Sequence, residues 1–184
     1  MTPLVVSLAW GGEYVRAAEK LEESCHKFGL PVHIEFREVM PSDPRMAKRQ
    51  KPEILLKALT QDEGPVMWVD ADAEVVAPLV FPKGIEDCDV AAFKTNCWES
   101  TVLYCNRTSN AFRVLDEWAM RLSKDDWQYD SEVLTDVVKY LKPKVMDLGP
   151  ALAWTEIFLR SLYPDTKPMI VHQAFLSTKR VKNA

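Results

Sequence analysis

Short apolar runs separated by amphipathic stretches set the outline of this chain. Residues 4–8 are continuous, apolar and rich in β-branched side chains, the pattern of a buried strand. Gly11-Gly12 breaks that run. Residues 15–28 then place Ala18, Leu21, Cys25 and Phe28 on one helical face with charges opposite, and Gly29 suits the helix end. Residues 32–36 alternate and predict a second strand, so the opening reads as a parallel strand–helix–strand unit. A basic, Pro-flanked connection over 41–51 leads to Pro52, which fits the first turn of a helix burying Ile54, Leu55, Ala58 and Leu59. Further strands are predicted over 66–69, 89–93, 100–104 and 169–172. Further helices are predicted from a Ser109 cap to Leu122, from an Asp130 or Ser131 cap to Leu141, and over 155–162. The expected fold is α/β, one domain over 1–184 with a mostly parallel central sheet flanked by helices.

One apolar run changes the picture from architecture to chemistry. Residues 66–69 are wholly apolar and end in Asp70-Ala71-Asp72, before a second apolar pair, Val75-Val76. Alternate side chains of a strand share a face, so Asp70 and Asp72 project together if the strand continues or bends just after them. Two carboxylates that close need a positive neighbour to stay ionised together. Paired oxygens of this kind suit hard divalent cations, and magnesium or manganese commonly bridges such carboxylates to substrate phosphates. The carboxyl end of a strand in an open α/β sheet is also where ligands bind. A solvated acidic turn is the plain alternative for the bare spacing; its place behind a buried strand favours a site.

Bulk properties narrow the class only a little. The 184 residues are 47% hydrophobic and 27% charged, ordinary for a globular protein, and the formal charge of -4 gives no support to a general polyanion-binding surface. Basic clusters at 45–51 and 179–182 are either local phosphate contacts or solvated faces. The apolar run from 4 to 10 is too short for a membrane helix and follows no basic leader, so a cytoplasmic protein with no membrane partner is expected. Cys25, Cys88, Cys97 and Cys105 lack Cys-x-x-Cys spacing and are expected as free, mostly buried thiols. Asn106-Arg107-Thr108 matches a glycosylation triplet, a short motif that needs a secretory route.

These features occur in an order that resembles a known family. An opening strand and helix over 5–29, Lys51-Pro52-Glu53-Ile54-Leu55 on a helix, the Asp70-x-Asp72 strand end and the late Ile170-Val171-His172 with Ser177, Lys179 and Arg180 beyond it resemble the compact nucleotide-sugar-dependent glycosyltransferases of the Rossmann-like GT-A fold. Residues 100–118 also resemble that family's strand-then-helix passage into the acceptor region. The resemblance implies transfer of a sugar from a nucleoside diphosphate-sugar, with a UDP-sugar foremost, to a hydroxyl acceptor, assisted by Mn2+ or Mg2+. It implies Asp72 as metal ligand, Asp70 as a second ligand or a ribose contact, and His172 as a nitrogen ligand. Leu8, Ala9 and Trp10 would lie against base and ribose. Lys179 and Arg180, or the connection bearing Lys51, would meet the diphosphate. Asp130 and Glu132 are the implied acceptor bases, with Glu99 behind them; Asp130 is equally explained as a helix cap.

Rival readings differ in class. A haloacid-dehalogenase-type phosphatase also ends an apolar strand in Asp-x-Asp, but Ala73-Glu74 stands where that family has Thr or Val, and its aspartate strand comes first in the fold. A nucleotidyltransferase would open on a Gly-rich, Arg-bearing loop, which residues 9–13 do not supply. A catalytically silent nucleotide-sugar-binding protein would have no chemical need for both aspartates and the late histidine. The acceptor is left open among a glycan, a small molecule, a protein and a hydroxymethylated base in DNA.

Overall fold

The computed structural model describes residues 2–38, 45–124 and 129–172. It opens with β1 (Leu4–Trp10), α1 (Gly11–Lys27) and β2 (Val32–Arg37), then α2 (Arg45–Gln61), β3 (Val66–Val69) and the short β4 (Ala73–Val75). Next come β5 (Val90–Lys94), β6 (Trp98–Cys105), α3 (Ser109–Lys124), α4 (Asp130–Leu141) and β7 (Val145–Asp147). The last described elements are β8 (Trp154–Thr155), α5 (Glu156–Leu162) and β9 (Ile170–His172). Six strands form a central sheet in the order β2-β1-β3-β6-β5-β7, and three short ones form a second sheet, β4-β9-β8. In the central sheet β1 pairs parallel with β2 and β3, and β5 with β7, while β6 runs antiparallel to both of its neighbours.

Strand alternation divides the core into two layers. Val5, Ala9, Met67, Val69, Val102 and Tyr104 pack on the α1 face with Ala18, Leu21 and Cys25. Val6, Leu8, Val66, Trp68, Leu103 and Cys105 pack on the opposite face under α2, α3 and α4, against Leu55, Leu59, Leu115, Trp118 and Leu134. Burial on both faces explains why β1 and β3 read as unbroken apolar runs rather than alternating ones.

Four boundaries differ from the sequence pattern. Strand β1 extends to Trp10 and α1 starts at once, because Gly11 adopts φ 64°, open to a residue without Cβ, and turns strand into helix with no loop. Helix α2 begins at Arg45, so Pro52 lies inside it rather than in its first turn. The lost backbone bond is offset by tertiary burial, since Lys51, Pro52, Ile54 and Leu55 all face inward. Helix α3 is capped by Thr108, whose Oγ1 accepts the Ala111 N–H at 3.1 Å, and not by Ser109. Helix α4 has Tyr129 as its N-cap, so Asp130 is its first helical residue and its carboxylate turns elsewhere. Strands β4, β7 and β8 have no counterpart in the pattern. All four cysteines are free, and Cys97 alone of them is not fully buried. Among the described residues no helix is long and apolar enough to cross a membrane.

Candidate active site

The site begins where β3 ends. Asp70 leaves the strand but stays tied to it, donating its N–H to the Thr101 carbonyl at 3.0 Å, and its own carbonyl accepts the Ala73 N–H at 3.0 Å. That second bond closes a turn over Ala71-Asp72 and sends the chain into β4, which joins the other sheet. Strand β4 is pinned to α1 by Ser24, whose Oγ accepts the Val75 N–H at 3.0 Å and donates to the Leu21 carbonyl. Antiparallel pairing of β4 with β9 sets Ala73 opposite His172, one residue from Asp72. One ligand atom from each of Asp70, Asp72 and His172 lies within 4.8 Å of the others, and His172 Nδ1 is 3.9 Å from Asp72 Oδ1.

These three residues fit a divalent cation. Both carboxylates are about a quarter open (26%), while His172 is buried and its Nε2 has no hydrogen-bond partner among the described residues. A solvated acidic turn accounts for neither the buried imidazole nor its unsatisfied nitrogen. Two carboxylates and one imidazole form a donor set acceptable to manganese or magnesium.

Behind the carboxylates lies a buried ion cluster that the sequence pattern does not reveal. The Lys51 ammonium sits 2.9 Å from Asp70 Oδ1 and 2.9 Å from Asp130 Oδ2, and donates longer bonds to the Ser100 carbonyl and hydroxyl at 3.4 Å. Ser100 Oγ donates to Asp130 Oδ2 at 2.7 Å, and the Trp68 indole N–H donates to Asp70 Oδ1 at 2.7 Å. Burial alone would push the Lys51 ammonium down, but the Asp130 and Asp70 carboxylates hold its pKa above the ordinary range. Here is the positive neighbour that paired aspartates demand.

Helix α4 is fixed in place by the start of β6. The Trp98 N–H donates to Thr135 Oγ1 at 2.7 Å and the Ser100 N–H to Ser131 Oγ at 3.1 Å, two hydroxyls one helical turn apart. The Trp118 indole donates to the Asp130 carbonyl at 3.1 Å, so the first turn of α4 is held from both sides. The clue available in sequence was modest: Trp68 stands two residues before Asp70 and shares its face, and Ser100 is a small polar residue opening an apolar run.

Other candidates fall in varied surroundings. Lys51 faces inward, its side chain 9% exposed and engaged with two carboxylates, rather than standing in an open cleft for a diphosphate. Asp130 is likewise buried, whereas Glu132 on the same turn is exposed. Glu99 accepts the Thr95 hydroxyl at 2.6 Å. Leu8 and Ala9 are core residues on opposite faces of β1. Trp10 is partly open at the strand end with the Arg37 guanidinium 5.0 Å from its ring centre, and its Nε1 has no partner among the described residues. Lys179 and Arg180 lie outside the described residues. Asn106 is closed to glycosylation as folded, because Nδ2 donates to the Ile85 and Cys88 carbonyls, each at 2.7 Å.

No protein-family model and no curated protein sequence matches the chain. Solved structures do match. A glycosyltransferase involved in the glycosylation of the major capsid of PBCV-1 superposes with a TM-score of 0.76 over 98% of this chain and 96% of its own, at 14% identity. The glycosyltransferase GlyE of Streptococcus pneumoniae TIGR4 matches with a TM-score of 0.61 at 12% identity, over 94% of this chain and 54% of GlyE. Its apo form gives 0.59 at 13% identity with the same coverage. The chain therefore spans about half of GlyE and nearly all of the first protein. At these identities the fold is what is shared, and that fold is a glycosyltransferase fold.

Proposed function

We propose that this protein is a divalent-metal-dependent glycosyltransferase that moves a sugar from a nucleoside diphosphate-sugar, a UDP-sugar first among them, to a hydroxyl acceptor. The observation that carries this reading is the meeting of Asp70, Asp72 and buried His172 at the end of β3, on a fold shared with glycosyltransferases. In this reading the three residues hold Mn2+ or Mg2+, which when bound neutralises charge growing on the departing diphosphate. Asp70 and Asp72 supply oxygens, and His172, whose Nδ1 is the nitrogen beside Asp72, supplies an imidazole nitrogen. Lys51 holds Asp70 in place instead of touching the donor. Trp10 and Arg37 close the carboxyl ends of β1 and β2, where base and ribose would rest. Lys179 and Arg180 are assigned to the diphosphate, since charge-assisted bonds to phosphate are the strong ones. Glu132, exposed beside the anchored Asp130, is the assigned acceptor-side carboxylate, and Asp130 becomes a positioning residue.

For the acceptor, a hydroxyl of a protein-linked glycan is preferred, because a glycosyltransferase of this fold is involved in capsid glycosylation. A hydroxymethylated base in DNA ranks second, given the formal charge of -4. The deciding experiment measures thermal stabilisation by UDP, GDP and their sugars with and without Mn2+, followed by donor hydrolysis with and without acceptor. Stabilisation by one nucleoside diphosphate that requires metal, with hydrolysis lost in Asp72→Asn, is expected. Metal-independent binding, or hydrolysis undiminished after chelation, would overturn the assignment.

A further inference from the structure

We infer that Trp68, together with Lys51, fixes which oxygen of Asp70 reaches a metal and so selects small octahedral cations over calcium. The inference rests on the metal-site reading above and deepens it. Strand alternation puts Trp68 and Asp70 on the same face of the chain, two residues apart. The indole N–H lies 2.7 Å from Asp70 Oδ1, and the Lys51 ammonium lies 2.9 Å from the same atom. Both donors are rigid. Trp68 is 3% exposed inside the core layer under α2, and Lys51 sits 5.5 Å from the centre of the Trp68 ring while its far side is held by Asp130. With two donors on Oδ1, Asp70 is left to offer Oδ2 alone, which carries no hydrogen bond among the described residues.

The consequence is one of coordination number. Mn2+ and Mg2+ favour octahedral sites with short bonds to single carboxylate oxygens, whereas Ca2+ takes 6–8 oxygens at longer range and accepts bidentate carboxylates readily. A carboxylate clamped at Oδ1 cannot turn both oxygens toward one ion. Trp68 is therefore a positioning residue whose influence is on selectivity as much as on affinity.

The test compares Mn2+ and Ca2+ affinities of the full chain, by calorimetry, in the wild type and in Trp68→Phe, which keeps a ring and removes the N–H. Residue 68 carrying a benzothienyl side chain, with the fused-ring shape but no N–H, repeats the measurement should the phenyl ring fill the site poorly. We expect the preference for Mn2+ over Ca2+ to fall about tenfold, the scale at which hydrogen bonds to ligands act on a metal. A merely structural role would lower both affinities together and leave their ratio unchanged, and that result overturns the inference while wild-type binding and its loss in Asp72→Asn uphold the site. Absence of Mn2+ binding by the wild type, with or without UDP, overturns the metal reading and this inference with it.

Discussion

Replacing Lys51 by Met tests the buried cluster most directly. The substitution keeps length and removes the charge that two carboxylates share. Asp130 carries most of the loss, because its side chain is 9% exposed while that of Asp70 is 26% exposed and can be hydrated where it stands. Stranding one member of a buried ion pair costs about 3 to 5 kcal/mol. For a domain of this size that corresponds to a fall in Tm of roughly 6 to 20 °C. The pH dependence follows from the sign of the Lys51 shift. Its pKa in the folded state lies above the ordinary 10.5, so its contribution is complete below that value and is lost only as pH rises through the raised one. The deficit of the variant is thus expected to be constant from about pH 7 to 9. Urea unfolding across that interval gives the measurement, and adding Asp130→Asn to Lys51→Met should return part of the loss by removing the stranded charge. A deficit below about 1 kcal/mol, the value of an exposed pair, would refute the cluster as a charge clamp. So would a double variant no better than the single one.

His172→Ala is expected to weaken metal-dependent binding of the nucleoside diphosphate by at least the roughly tenfold that losing a partner of a metal ligand costs, and to leave binding of the bare nucleoside alone; calorimetry on both ligands checks it. Cys97 should react first with a thiol reagent, followed by mass spectrometry, because burial pushes the thiols of Cys25 to about 12 and Cys88 to about 11 and raises Cys105 further. Replacing both Lys179 and Arg180 by Ala should raise KM for donor and lower kcat with Tm unchanged, if they meet only the diphosphate. Unchanged steady-state kinetics would remove them from the site.

Elements that carry their own pattern were legible in sequence, and those defined by a partner were not. The β1–α1–β2 opening and β3 announce themselves because both faces of β1 and β3 are buried, α1 has one clear apolar stripe and β2 alternates. Strand β4 is only Ala73-Glu74-Val75 and exists because β9 pairs with it. The two aspartates and His172 could be singled out from residue type and order, but their approach depends on that pairing. Asp130 illustrates the limit best. As a residue before a helix it read equally as cap or base, and the structure gives it a third partner, Lys51, from a distant helix. Spacing cannot reveal such a contact, because it depends on where α2 and α4 cross the sheet. Pro52 misled for a related reason, since tertiary burial carries α2 through a residue that local preference puts at a helix start.

The site is assembled from two sheets that treat its ligands differently. Asp70 belongs to the six-stranded sheet and is clamped at one oxygen by groups embedded in a two-layer core. Asp72 and His172 come from the turn before β4 and from β9 in the small sheet, whose described link to α1 includes the bonds through Ser24. Asp70 is thus held before any cation or donor would arrive, while Asp72 sits in a turn and His172 ends the three-residue β9. On the proposed reading the protein must hold metal and diphosphate firmly during transfer and still release the diphosphate afterward. Asp70, held at Oδ1 by Trp68 and Lys51, would keep the cation's position through that exchange. On the proposed reading the buried charge cluster, costly to desolvate, serves to fix Asp70 from the large sheet, so that the β4–β9 pairing has only Asp72 and His172 left to bring to the cation.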